Sequence, residues 1–207
     1  MSYCIYFLSY ALIIELYQYP KVSIELNLSD DFENLIDRGM DLAFRVGELE
    51  DSSVVVLKIS SSRLIVCPSP EYLKENGIPQ TPESLKKYVC LVTSINIIFT
   101  PHWTFNINDV RTEFDIKSDY LTSNIADSLR VAAINGSCLT QLPSYMIGFD
   151  IQSGRLKPVL EEFEPKPLPI NLIYAHRKHM SVKVRSFVDY MQGYFETPPY
   201  WDKWMFE

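Results

Sequence analysis

Between Tyr19 and Gly47 the hydrophobic period changes twice, and no other stretch constrains the fold as tightly. Val22, Ile24, Leu26 and Leu28 alternate with Ser23, Glu25 and Asn27, the two-residue period of a half-exposed strand. Asp30 stands where it can cap a following helix, with Glu33 at the capping-box position three residues on. Phe32, Leu35 and Ile36 share one helical face, and Gly39 sits where a helix stops. Leu42 to Val46 resumes extended structure. Strand, crossover helix and strand predict a parallel βαβ unit of right hand. In open parallel sheets, ligands settle beyond the strand ends and their following loops.

The rest of the chain alternates in the same way. Residues 1–19 read as an aromatic-rich strand or turn, then a helix with Tyr10, Ile13, Ile14 and Tyr17 at helical spacing. Val54 to Ile59 and Arg63 to Cys67 are β-prone. Glu71 to Asn76 is a short helix ended by Gly77, and Pro82 opens another at the turn where proline is tolerated. Cys90 to Phe99, Trp103 to Phe105 and Thr112 to Ile116 read as extended. Ser123 or Asn124 caps a helix with Ala126, Leu129, Ala132 and Ala133 inward, ending at Asn135-Gly136. Pro165, Pro167 and Pro169 make that run too proline-rich for a helix or a central strand. Ile170 to Ala175 is a strand. Ser181 caps a last helix with Val184, Phe187, Val188 and Met191 in register and Gly193 after it. The alternation predicts an α/β protein.

Composition removes several function classes. The 207 residues are 47% hydrophobic and 22% charged, enough to bury one sizeable core or two small ones. The net charge of −7 and the lack of any lysine or arginine run argue against a domain that grips DNA by itself. Cys4, Cys67, Cys90 and Cys138 form no CxxC or Cys/His cluster, so neither a disulfide framework nor a metal site is expected. The apolar segment Cys4 to Ile14 is too short to span a bilayer, and Met1-Ser2-Tyr3 lacks the basic start of a signal peptide. A cytoplasmic chain with reduced thiols is the expectation. No nucleophile elbow, Walker loop, dinucleotide fingerprint or zincin helix is present, so no enzyme and no cofactor are expected.

The order of the motifs resembles the effector-binding domain of LysR-type transcriptional regulators. The segment Tyr19 to Gly47 carries the family's "YP-V-LEL-LSD" and "G-DLA-R-G" pattern. Arg63 through Leu73, Asn76-Gly77-Ile78-Pro79 and Pro82 to Leu85 are similar to its "R-LVASP-YL…G-P-TP-DL" passage, and Trp103-Thr104-Phe105 to its "W-F" pair. Ser123-Asn124, Gly136 and Leu142-Pro143 resemble "SND…G…LP", and Lys183 to Tyr190 its closing helix. The resemblance runs from about position 17 to 195. It departs at Met1 to Leu8, where the family's first strand and serine-rich loop have no match, and at Cys138, which replaces a glycine.

The resemblance implies two α/β subdomains of the type 2 periplasmic-binding-protein kind, joined by two crossover strands. On that analogy residues 1–65 plus 177–207 form the first subdomain and 66–176 the second, and no helix-turn-helix is included. Arg63 to Cys67 would lead out and Ile170 to Ala175 back, with the effector in the cleft between. It further implies a homodimer or tetramer in bacteria, with DNA reached only through a helix-turn-helix domain outside this sequence. The candidate effector contacts are Ser29, Asp30 and Val46 in the first subdomain. In the second they are Thr93, Ser94, Thr122, Ser123, Asn124, Gln141 and Pro143. The physical case for them is that helix N-termini and free hydroxyls suit polar or anionic groups. Ordinary helix capping accounts for the same residues on sequence alone. His176-Arg177-Lys178-His179 reads as a solvated turn, Cys138 as a buried thiol, and Trp201, Trp204 and Phe206 as an apolar tail. A stand-alone solute-binding protein and a remnant of a regulator are the alternative readings.

Overall fold

The computed structural model describes residue 19 and residues 22–27, 39–48, 54–93, 102–117, 121–175, 181–195 and 199–205. They fall into two compact units. Unit 1 comprises Met1–Ser61 and Leu168–Tyr200, and unit 2 comprises Ser62–Pro167 and Trp201–Glu207. The tail therefore groups with the second unit, not with the 177–207 segment assigned above to the first.

Unit 1 holds a three-stranded sheet of β1 (Leu42–Val46), β2 (Val54–Ser62, whose last residue belongs to unit 2) and β9 (Leu168–Ala175), in the order β1-β9-β2. β1 runs antiparallel to β9, from Leu42 opposite Tyr174 to Val46 opposite Ile170. Pro169 therefore lies in a central strand, contrary to expectation. Placed one residue after the strand start, it is tolerated, and its carbonyl accepts the Gly47 N–H at 2.8 Å. Nor do the described residues form the expected parallel βαβ unit. Residues 22–27 are exposed and lie in no strand, and β1 takes an antiparallel partner instead. An alternating pattern marks which face is apolar, but a strand also needs a neighbour to accept its ladder. The helix expected from Asp30 lies outside the described residues, as do residues 1–18. Helix α4 (Val182–Tyr194) closes this unit. The Ser181 hydroxyl accepts the Val184 N–H, and Val184, Phe187, Val188 and Met191 are buried as their spacing predicts. Gly193 lies inside its last turn rather than after it.

Unit 2 is built on β3 (Leu64–Cys67), β4 (Cys90–Thr93), β7 (Thr122–Ser123) and β8 (Leu139–Pro143), in the order β3-β8-β4-β7. β4, β7 and β8 are mutually parallel and β3 is antiparallel to β8. Helix α1 (Pro70–Asn76) starts at Ser69, whose hydroxyl accepts the Tyr72 N–H, and ends at Gly77, where φ is +82°. A 3-10 turn follows at Pro82–Lys87. The hairpin β5 (His102–Ile107) and β6 (Val110–Asp115) turns on Asn108 and Asp109, both at positive φ as a tight two-residue hairpin requires. Helices α2 (Ala126–Ile134) and α3 (Ser144–Gln152) flank β8 in sequence. The core joins the sheet to the hairpin through Val66, Leu139, Val92, Trp103, Phe105 and Leu160.

Arg130 replaces the expected Ala132 among the buried residues of α2. Its guanidinium meets the fully buried Asp150 on α3, at 2.5 Å from Nε and 2.9 Å from Nη2. Arg155 reaches the same carboxylate at 2.5 Å.

Candidate functional site

Because β4, β7 and β8 are parallel, their C-terminal ends lie along one edge of the unit 2 sheet. Thr93 ends β4, Ser123 ends β7 and Pro143 ends β8, and Thr93 is the register partner of Ser123. Thr93 is buried, Ser123 half-buried, and Thr122 and Asn124 exposed. The structure thus brings together Thr93, Thr122, Ser123, Asn124 and Pro143 where open parallel sheets take ligands.

Two helices begin at this edge, and they differ. Ile125, not Ser123 or Asn124, is the N-cap of α2, and no side chain caps that helix. Ser123 turns inward on its own loop: its Oγ accepts the Ile125 N–H at 3.1 Å and lies 3.2 Å from the Ile125 carbonyl. A serine that bonds the backbone two residues on forms a local turn in place of a cap. The start of α3 is satisfied by the chain itself. Ser144 N–H donates to the Arg63 carbonyl at 2.8 Å, and Tyr145 N–H to Ser62 Oγ at 3.4 Å. No side chain caps α2 beside these hydroxyls, while the first two N–H groups of α3 are already occupied.

Gln141 lies on β8 two residues before Pro143, and its amide is committed. Oε1 accepts the Thr104 N–H at 3.1 Å and Nε2 donates to the Thr104 carbonyl at 2.8 Å. Its visible task is to pin the β5–β6 hairpin to the sheet. Val46, in unit 1, ends β1 half-buried, and Gly47 after it is buried at φ +104°. The buried Asn171 donates through Nδ2 to the Gly47 carbonyl at 3.0 Å, so both the N–H and the carbonyl of Gly47 are held by β9. Ser29, Asp30 and Ser94 lie outside the described residues, as do His176 and His179.

Sequence reasoning missed a polar cluster of the buried Ser62, Ser144 and Asp202 with the half-buried Arg63 and Glu164. Burial pushes the Glu164 carboxyl up, against the pull of the Arg63 guanidinium. Asp202 is also pushed up by burial, opposed by a hydrogen bond with Ser144 and by Arg63. No local pattern announces residues that meet across 82 and 101 positions.

Cys67, Cys90 and Cys138 are free and buried. Burial raises all three thiols, Cys90 and Cys138 to about 12. Such thiols are protonated at neutral pH and poor nucleophiles. Among the described residues no group of three His, Cys, Asp or Glu is placed to hold a metal, and no helix is long and apolar enough to cross a membrane.

Comparison with known proteins agrees with this geometry. The family model described as the LysR substrate binding domain matches residues 2–196. An HTH-type transcriptional regulator of Haemophilus influenzae is 33% identical over 167 residues, covering 81% of this chain and 57% of the relative. HTH-type transcriptional regulator CrgA of Neisseria meningitidis is 32% identical over 178 residues, covering 84% of this chain and 58% of the relative. The chain therefore spans under two thirds of the length of these regulators. Among solved structures, the CrgA regulatory domain from Neisseria meningitidis superposes with a TM-score of 0.82 at 28% identity, covering 94% of this chain and 95% of that one. The regulatory domain of AphB in Vibrio vulnificus gives 0.75 at 29% identity, covering 89% and 90%.

Proposed function

Since the chain belongs to the LysR substrate binding domain family, we propose that it senses a small organic effector on behalf of a LysR-type transcriptional regulator. On the family's plan the effector is bound between two subdomains. Its polar end rests against Thr93, Thr122, Ser123 and Asn124 and the N-terminus of α2. Val46, Ser29, Asp30 and Ser94 complete the contacts. DNA is engaged by a helix-turn-helix segment outside these 207 residues, and the sensing parts associate as a homodimer or tetramer in the cytoplasm.

One observation carries this reading: the ends of β4 and β7 gather hydroxyl groups beside a helix start that no side chain caps. Gln141 and Pro143 act behind the site, Gln141 by fixing the hairpin and Pro143 by ending β8 at α3.

The test is a thermal-shift screen of small organic acids, amino acids and aromatic compounds on the wild-type chain and on the variants T93V and S123A. A binder at about 100 times its dissociation constant stabilises the fold by about 2.7 kcal/mol. The expected result is a set of related compounds that raise the melting temperature of the wild type, with S123A and T93V weakening that rise. A binder whose effect is identical in all three proteins overturns the placement of the site. The complete lack of any binder overturns the sensing role.

A further inference from the structure

The chain passes between the two units at three peptide bonds, Ser61–Ser62, Pro167–Leu168 and Tyr200–Trp201. On the unit 2 side all three lead into the same polar cluster. Ser62, first past one junction, is fully buried with its Oγ 3.1 Å from Ser144 Oγ. Arg63 beside it donates its backbone N–H to Ser144 Oγ at 3.1 Å. The Arg63 guanidinium forks onto Glu164, just before the second junction, at 2.7 Å from Nε and 2.6 Å from Nη2. Asp202, just past the third, is 6% exposed, and Ser144 hydrogen-bonds its carboxylate.

Packing also holds the turn at the third junction. The Trp201 backbone lies so close over Gly148 of α3 that any side chain there would strike it. The Trp201 ring meets Tyr145 edge-on at 6.5 Å. Charge in the cluster is unbalanced. The one guanidinium faces Glu164, Asp202 and, at 3.7 Å, Glu161. Asp202 Oδ1 has no hydrogen-bond partner among the described residues. A buried carboxylate with an unmet oxygen is costly in its charged form.

We propose that Ser62, Arg63, Ser144, Glu164 and Asp202 form one latch, through which the C-terminal turn Tyr200–Met205 sets the freedom of the other two junctions. With the turn seated, Ser144 has an acceptor, the serine pair is sealed, and the Arg63–Glu164 pair is shielded from water. With the turn displaced, Ser144 loses that acceptor and the cluster opens to solvent, although neither junction is near the turn in sequence. A proton on Asp202 favours the seated state. Its carboxyl titrates above its usual range, so the latch is tightest in mild acid and loosens as the pH rises and the charge develops.

Hydrogen exchange on the whole 207-residue chain tests this, with G148A to lift the turn without touching the cluster and D202N to remove its charge. In G148A, amides at residues 62–67 and 164–170 exchange at least about tenfold faster, while those of α1 keep their wild-type rates. Faster exchange confined to 199–205 and α3 overturns the proposal. In the wild type, exchange at both junctions, corrected for the intrinsic pH effect, accelerates as the pH rises above the ordinary carboxylate range, and D202N flattens that rise. An equal rise in D202N overturns the part assigned to Asp202. D202N preserves the shape of the side chain, so it reads the latch even where G148A does not fold.

Discussion

In unit 2 every residue of β3 and β4, and all of β8 but Gln141, is buried; in unit 1 every residue of β1 is only half-buried. Among the described residues, the buried apolar side chains of unit 1 come from β9 and α4 alone: Ile170, Leu172, Ile173, Val184, Phe187, Val188 and Met191. Unit 2 adds buried charge to its apolar core, with Arg130 and Asp150 joined inside the protein. The contrast teaches that burial and resilience are different properties. Unit 2 has more to lose from any change that leaves a buried group without its partner, whereas unit 1 depends on one strand and one helix.

Alkaline pH exposes that difference most sharply. Cys67, Cys90 and Cys138 titrate well above an ordinary thiol, so the folded state keeps protons that the unfolded state releases. Their stabilising contribution is whole below the unfolded thiol value of about 8.5 and is lost as the pH rises toward the folded values. Each thiol contributes up to about 1.4 kcal/mol per pH unit over that range, so unit 2 is expected to unfold first above pH 9. Urea titrations at pH 8, 9 and 10, read by exchange in each unit, check this. A C67A/C90A/C138A variant with an unchanged slope breaks the comparison.

Next in size is D150A, which leaves Arg130 buried without its main counter-charge and is expected to cost about 3–5 kcal/mol. The loss belongs to unit 2 alone, so the exchange of β1 and α4 should hold. L172A removes a fully buried side chain from unit 1 at a cost of about 2–5 kcal/mol, and its mark belongs in β1 and α4. If each variant loosens both units equally, the chain unfolds as one body and the comparison falls. Smallest is Q141L, which strands the Thr104 N–H and carbonyl and is expected to cost about 1–3 kcal/mol. Its effector-induced thermal shift should match the wild type, since its amide is spent on the hairpin.

The features read correctly from sequence are those whose cause is local. Ser181 caps its helix, Gly77 and Asn135-Gly136 end theirs, and the inward face of α4 follows from spacing. The motif order also pointed to the family that the comparisons identify. What escaped depends on distant neighbours. Residues 22–27 have a strand's alternation without a ladder, and the sheet's middle strand carries Pro169 at its second position. Helix α3 went unseen because Tyr145, Met146, Ile147, Gly148 and Asp150 are all buried, so its sequence shows no polar face. At the proposed site, the motif pattern named Thr93, Ser123 and Pro143, which the fold places at the ends of β4, β7 and β8. The occupation of Gln141 by Thr104 and the meeting of Ser144 with Asp202 were not, because each joins residues far apart in the chain.

The sheet order of unit 1 also governs how the protein is born. β9 sits between β1 and β2, and Gly47 is held by Asn171, 124 residues later. At translation rates of 5–20 residues per second, β1 and β2 wait roughly 6–25 s on the ribosome before the strand that joins them emerges. During that interval the nascent chain carries β1 and β2 without the strand that joins them while the sheet of unit 2 is being synthesised, and that is when a chaperone has the most to cover.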